Sequence, residues 1–164
     1  MDVSVKNPAA GFSLIELVMV LLIIAIVGVT VLVRTTSSAT INLGAQAQQI
    51  ANDIRYAQAL AMSKNQRFYF IRQSATTYQV MNQTGTAIIF PAGGTTVTLN
   101  TGITFGTFTN LPNNLVAFDG LGTPYINTTT PGTALAATAT IPITGGGNTQ
   151  TISIVRNTGQ VSIS

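Results

Sequence analysis

The sequence predicts an α+β protein: one long N-terminal helix, apolar in its first half and amphipathic in its second, packed on an antiparallel β-sheet domain. Three features carry this prediction. Leu17 to Val33 contains no charged residue. Leu43, Ala47, Ile50, Ile54, Ala57 and Ala61 then recur at steps of four and three, the stripe of a helix with one buried face. From Arg67 the period changes to two, and runs of β-branched and aromatic residues alternate with Gly, Asn and Pro breaks.

Residues 1–11 are polar with a single basic residue, Lys6, and read as a leader outside the fold. Residues 12–33 follow as a helix of about 33 Å, long enough to cross a bilayer core. Glu16 interrupts the apolar run near its start, where a carboxylate in lipid costs on the order of 2.5–3.5 kcal/mol or more. Such a group needs a positive partner at the same depth, and a cut between Gly11 and Phe12 would supply one as a new α-amino group. An ordinary secretory signal, with Lys6 as its basic region and cleavage near Ser37-Ser38-Ala39, fits less well. The uncharged stretch exceeds the roughly 7–15 residues of such a signal, and Glu16 has no place in one.

Residues 34–65 form the amphipathic half. Arg34 marks the exit from lipid, and Thr35-Thr36-Ser37-Ser38-Ala39-Thr40 is a poor helix former, so a weakened segment is expected there. Beyond it the stripe faces a sheet, while Gln46, Gln48, Gln49, Asn52, Asp53, Arg55 and Gln58 fill the remaining positions, with Asp53 toward solvent beside Arg55 and Arg34.

Residues 66–164 form the β-rich domain. Arg67–Arg72 and Thr76–Met81 read as a hairpin around Gln73-Ser74-Ala75. Further strands are expected at Ala87–Phe90, Thr95–Leu99, Ile103–Phe108, Leu115–Phe118, Thr138–Ile143, Thr151–Val155 and Gln160–Ile163. Turn residues separate them, among them Asp119-Gly120, Gly145-Gly146-Gly147 and Asn157-Thr158-Gly159. Residues 127–137 read as a Thr-rich loop.

Ala10-Gly11-Phe12-Ser13-Leu14-Ile15-Glu16 followed by the apolar run resembles the processing signal of type IV prepilins and type II secretion pseudopilins. The resemblance implies cleavage after Gly11 by a prepilin peptidase, N-methylation of Phe12, and an assembly role for Glu16 in setting helix register. It also implies the type IV pilin-like fold. Asp53-Ile54-Arg55-Tyr56-Ala57-Gln58-Ala59, the segment Phe118 to Pro124 and the closing Ile154 to Val161 hairpin resemble, more loosely, the GspH/FimT-like minor pilins and pseudopilins.

Composition narrows the chemistry. Charged residues make up only 7% of the chain, and 26 Thr help replace them, which suits a turn-rich β surface facing the cell exterior. With no Cys, an exported domain must be held by its core rather than by disulfides. With no His either, a catalytic triad and a zinc site lack their usual groups. Beyond the leader only Glu16, Asp53 and Asp119 carry carboxylates. The two Asp are expected on a helix and in a turn, a poor start for paired acid–base catalysis or a calcium cage. Gly145-Gly146-Gly147 lacks the Lys and Ser/Thr of a phosphate loop. No enzyme, cofactor or metal is therefore expected.

Lys64, Arg67 and Arg72 lie close in sequence, with Tyr69 and Phe70 between the arginines, a combination able to hold phosphate and stack bases. The alternative, adopted here, is a strand with Phe68 and Phe70 in the core and Arg67 and Tyr69 in water. The net charge of +3 is too small and scattered to require nucleic acid, and the C-terminal end offers only Arg156 and then Gln160. The expected function is a structural one, a minor pilin or pseudopilin of a type IV pilus or type II secretion pseudopilus. Its partners would be the prepilin peptidase, inner-membrane lipid before assembly, and other pilins or pseudopilins through helix packing. The precursor would span the bacterial inner membrane once, with its globular domain in the periplasm. The alternative is a pilus-tip binding module, an adhesin or a DNA-uptake subunit.

Overall fold

The computed structural model describes residues 13–91 and 93–164, with side chains at 27–41 excepted. The chain divides into two compact units, Met1–Ser38 and Ala39–Ser164. Its first element is a helix, α1 (Leu14–Lys64), whose backbone is helical through the Thr/Ser segment that was expected to weaken it. Poor propensity there is a fraction of a kcal/mol per residue, too little by itself to open an otherwise continuous helix.

Within Ala39–Ser164 the stripe behaves as its spacing requires. Leu43, Ala47, Ile50, Ile54, Ala57 and Ala61 are all buried. Asn65, in the left-handed conformation (φ 50°), ends the helix, and Gln66 N–H bonds back to the Ala61 carbonyl.

Among the described residues nine strands follow: β1 (Phe68–Arg72), β2 (Thr77–Asn82), β3 (Val97–Thr98), β4 (Ile103–Phe105), β5 (Leu115–Phe118), β6 (Pro124–Tyr125), β7 (Ala139–Gly145), β8 (Asn148–Ile154) and β9 (Val161–Ile163). They form two antiparallel sheets rather than one: a five-stranded sheet ordered β3-β2-β1-β5-β6 and a four-stranded sheet ordered β4-β7-β8-β9. The expected hairpins occur, with Phe70 opposite Val80 in β1–β2 and Ile141 opposite Ile152 in β7–β8. Gly146 and Gly147, both at positive φ (58° and 79°), make the tight tip between β7 and β8. Two expectations fail. Ala87–Phe90 contributes only an isolated bridge from Ala87 to Met81, and Pro124–Tyr125 is a strand no periodicity announced.

An aromatic seam joins the sheets. Phe70 and Tyr78 of the first lie 5.0 Å apart, ring centre to ring centre, and Tyr78 meets Phe105 of the second edge-to-face at 6.0 Å. Phe108 continues the contact at 5.6 Å from Phe105. Main-chain bonds run along this seam, from Phe105 N–H to the Ala75 carbonyl and from Leu99 N–H to the Thr76 carbonyl, each 2.8 Å. The helix stripe and both sheets share one apolar core. Outside it, Tyr69, Leu115 and Ala117 form a second cluster with Tyr125 and Met81 on the other face of the five-stranded sheet.

Candidate functional site

The residues singled out for processing, Gly11 and Phe12, lie outside the described residues. Glu16 lies within them. Ser13 stands just before α1, and its carbonyl accepts the N–H groups of Glu16 (3.0 Å) and Leu17 (3.2 Å). Glu16 therefore sits in the first turn, where the unpaired N–H groups and the helix dipole favour a negative charge.

From Leu14 to Ile26 every large apolar side chain is exposed, from Val18 at 46% to Leu14 at 81%. The exposure runs round the whole circumference rather than along one stripe, so no single face is buried. A helix apolar on all sides is stable only where lipid or other helices cover it. Among the described residues no helix segment is long and apolar enough to cross a membrane; side chains at 27–33, which complete the expected span, lie outside the description.

The basic residues of the β domain are tied inward. Arg67 is buried, against the expectation of a water-facing side chain: its guanidinium lies 4.2 Å from the centre of the Tyr125 ring and donates to the Thr129 carbonyl. Tyr69 is buried too, in the second cluster. The reason is the 119–135 segment, which pairs through β6 and covers the face that alternation assigned to solvent. Arg72 lies 4.8 Å from the Phe108 ring centre and donates to the Gly106 carbonyl at 2.9 Å. Arg55 and Arg156 bond the carbonyls of Val161 (2.9 Å) and Ala136 (3.1 Å). These arginines hold loop and edge carbonyls of the domain itself.

The two aspartates take different roles. Asp119 caps its turn as expected, accepting the N–H groups of Leu121 (3.0 Å) and Thr123 (2.9 Å) and the Tyr125 hydroxyl (3.0 Å). Asp53 is half-buried rather than in open water, and the buried Tyr78 hydroxyl donates to its Oδ2 at 2.5 Å. Burial pushes the Asp53 carboxyl above the usual carboxylate range, partly offset by the Tyr78 bond. Two helix residues placed on the polar side also turn inward. Gln46 is buried, its Oε1 accepting Asn100 N–H at 2.9 Å, and Gln58 Nε2 donates to the carbonyls of Gly122 and Thr158, each at 2.9 Å. Their positions flanking the stripe hinted at this, but a glutamine's partner depends on which loop arrives. Among the described residues no group of His, Cys, Asp and Glu could hold a metal ion.

The N-terminal stretch, residues 6–32, matches the prokaryotic N-terminal methylation motif. Residues 46–159 match the family described as Type II transport protein GspH. No curated protein matches the chain. Among solved structures, the minor pseudopilin EpsH from the Type 2 Secretion System of Vibrio cholerae is similar in fold, with a TM-score of 0.56 at 13% identity over 75% of this chain and 96% of that one. The type IV minor pilin FimU of Pseudomonas aeruginosa gives a TM-score of 0.53 at 14% identity, over 74% of this chain and 87% of that one.

A methylation motif, a bare apolar helix and a helix-on-sheet domain together define a type IV pilin-like subunit. The chain belongs to the GspH family. It is a structural subunit of the pilin and pseudopilin class rather than an enzyme. Its motif implies processing by the prepilin peptidase, and its family implies assembly with other pseudopilins. Proteins of this kind are typically anchored in the inner membrane and then assembled into a pseudopilus.

Proposed function

We propose that the prepilin peptidase cuts this chain after Gly11, that Phe12 becomes the methylated N-terminus, and that Glu16 sets the register of helix packing through the Phe12 amine. Residues 1–11 are then the leader, 12–33 the membrane and assembly helix, 34–65 the amphipathic helix and 66–164 the periplasmic β-rich domain. Before assembly the apolar helix lies in inner-membrane lipid, spanning it once; afterwards neighbouring helices replace the lipid. Nucleic acid has no part in this reading.

The observation that carries the proposal is the exposed helix from Leu14 to Ile26 with one carboxylate in its first turn. Apolar burial supplies the drive to pack but no register, because such contacts are non-directional. A charge pair supplies the register. In a monomer the partner of Glu16 is its own Phe12 amine, about one helical turn away; in an assembly a neighbour's amine takes that place and sets the axial offset. Removing one member of a pair in a low-dielectric core costs about 3–5 kcal/mol, because the other is left unpaired.

The test is a pull-down of mature full-length protein from membranes with its partner pseudopilins. Glu16→Gln is expected to leave membrane insertion intact or improved and to lower incorporation. If Glu16→Gln assembles as well as the parent, the register role is wrong, and Glu16 serves only recognition by the processing enzyme.

A further inference from the structure

A cleft of about 750 Å³ opens within the unit Ala39–Ser164, between α1 and the outer edge of the five-stranded sheet. Gln48, Gln49, Asn52 and Asp53 line its helix wall, a spacing that sets them side by side along one side of α1. The opposite wall is the buried Phe90 ring and the edge strand β3. Among the described residues that strand pairs with β2 alone, through Tyr78 opposite Val97 and Thr77 opposite Thr98. Leu99 N–H points to β2, bonding the Thr76 carbonyl. By the alternation of strand main-chain groups, Thr98 directs its own N–H and carbonyl the other way, off the sheet edge.

The charge in this cleft is one-sided. Among the described residues Asp53 is the only ionisable one lining it, in a protein whose net charge is +3. Tyr78 holds Oδ2 of Asp53, and among the described residues no side chain bonds Oδ1. The nearest arginine in sequence, Arg55, is drawn away to Asn52 Oδ1 (2.8 Å) and the Val161 carbonyl (2.9 Å).

We infer that the cleft receives an extended segment of a partner protein, which pairs as an added strand along β3 and sets a lysine or arginine against Asp53. Each part of the cleft then has a use. The free edge of β3 supplies main-chain hydrogen bonds, as in other cases of strand addition. Phe90 and Val97 take an apolar side chain from the face of the segment turned toward them. The carboxamides of Gln48, Gln49 and Asn52 face the segment's far edge, where they bond main-chain groups that would otherwise be unpaired. Asp53 Oδ1 accepts the cation. This binding role is separate from the helix packing assigned to Glu16, and the two fail independently.

The test uses the full-length chain in detergent micelles and fluorescence anisotropy with two labelled pentapeptides, Thr-Val-Lys-Val-Thr and Thr-Val-Glu-Val-Thr. The lysine peptide is expected to bind about tenfold more tightly than the glutamate peptide. Gln48 is exposed and its side chain bonds only the exposed Asn52 Oδ1 (3.1 Å), so Gln48→Lys leaves the fold alone; it should weaken the lysine peptide by about tenfold through like-charge repulsion. Thr98→Pro removes the outward N–H without touching the β2 pairing and should weaken both peptides. Absence of binding by the lysine peptide, equal binding of the two peptides, or unchanged binding to Thr98→Pro would overturn the proposal.

Discussion

Asp53 shows how a single residue can take a role its neighbours in sequence do not announce. Its carboxyl is raised above the usual 3.8 because burial disfavours the charged form. The folded state therefore holds a proton more tightly than the unfolded state does. The ionised carboxylate weakens the fold at neutral pH, and this is relieved as pH falls through the raised folded value, fully below 3.8. Asp53→Asn keeps an acceptor for Tyr78 and removes the titration. Its melting temperature should exceed the parent's at pH 7, and the advantage should shrink as pH approaches 4; an advantage that grows on acidification would contradict the sign. Arg67 makes the complementary case. Its guanidinium combines a ring contact with a hydrogen bond to a carbonyl, and Arg67→Ala should cost about 1.5–3 kcal/mol from the charged hydrogen bond alone. Lysine lacks the planar fork, so Arg67→Lys should not restore the loss, as thermal melting will read.

At the scale of the element, α1 presents a core stripe flanked by glutamines of unequal roles. Ile50 and Ile54 are fully buried, and truncating either to Ala should cost about 2–5 kcal/mol. Gln49 is exposed but accepts the buried Gln46 amide at 3.2 Å, so Gln49→Ala should cost about 1 kcal/mol or more, whereas the exposed Gln48→Ala should be nearly neutral. Gln58 is different despite sharing the polar side, because its Nε2 ties the Asp119 turn to the β8–β9 turn. Gln58→Ala should cost roughly 1–2 kcal/mol for the two lost bonds. Gly159 sits under the same amide at φ 66°, and a Cβ built there would lie 2.6 Å from Gln58 Nε2. Gly159→Ala is thus strained and obstructed at once, and should melt below Gln58→Ala. Equal melting for Gln48→Ala and Gln58→Ala would show that the bridge contributes nothing.

For the whole molecule, the division at Ser38 matches a division of labour. The buried core begins at Leu43, while from Leu14 to Ile26 the apolar side chains are exposed. The fragment 39–164 should therefore fold alone, with a melting temperature within a few degrees of the full chain in detergent. A large loss of melting temperature in the fragment would mean that the N-terminal unit supports the β domain. Because no disulfide is available, cohesion rests on the shared core, the aromatic seam and the arginine-to-carbonyl bonds.

The sequence by itself determined the class of this protein. The processing motif, the uncharged run and the helical stripe are local patterns, each legible within a few turns of chain, and a 3.6-residue period cannot be read as a strand. Hairpins such as β1–β2 and β7–β8 were legible for the same reason, since a short turn forces neighbours to pair. Only the tertiary structure decided that β4 leaves the first sheet to pair with β7, because that contact joins Phe105 to Ile143 across a long stretch of chain. It also decided which polar residues are buried. Arg67 and Tyr69 alternate correctly for a solvent-facing side, but the 119–135 segment covers that side. Asp53 and Gln46 lie on a helix flank whose exposure depends on where β2 and the Asn100 turn arrive. A period states which residues share a face; what covers the face is set by packing between distant segments.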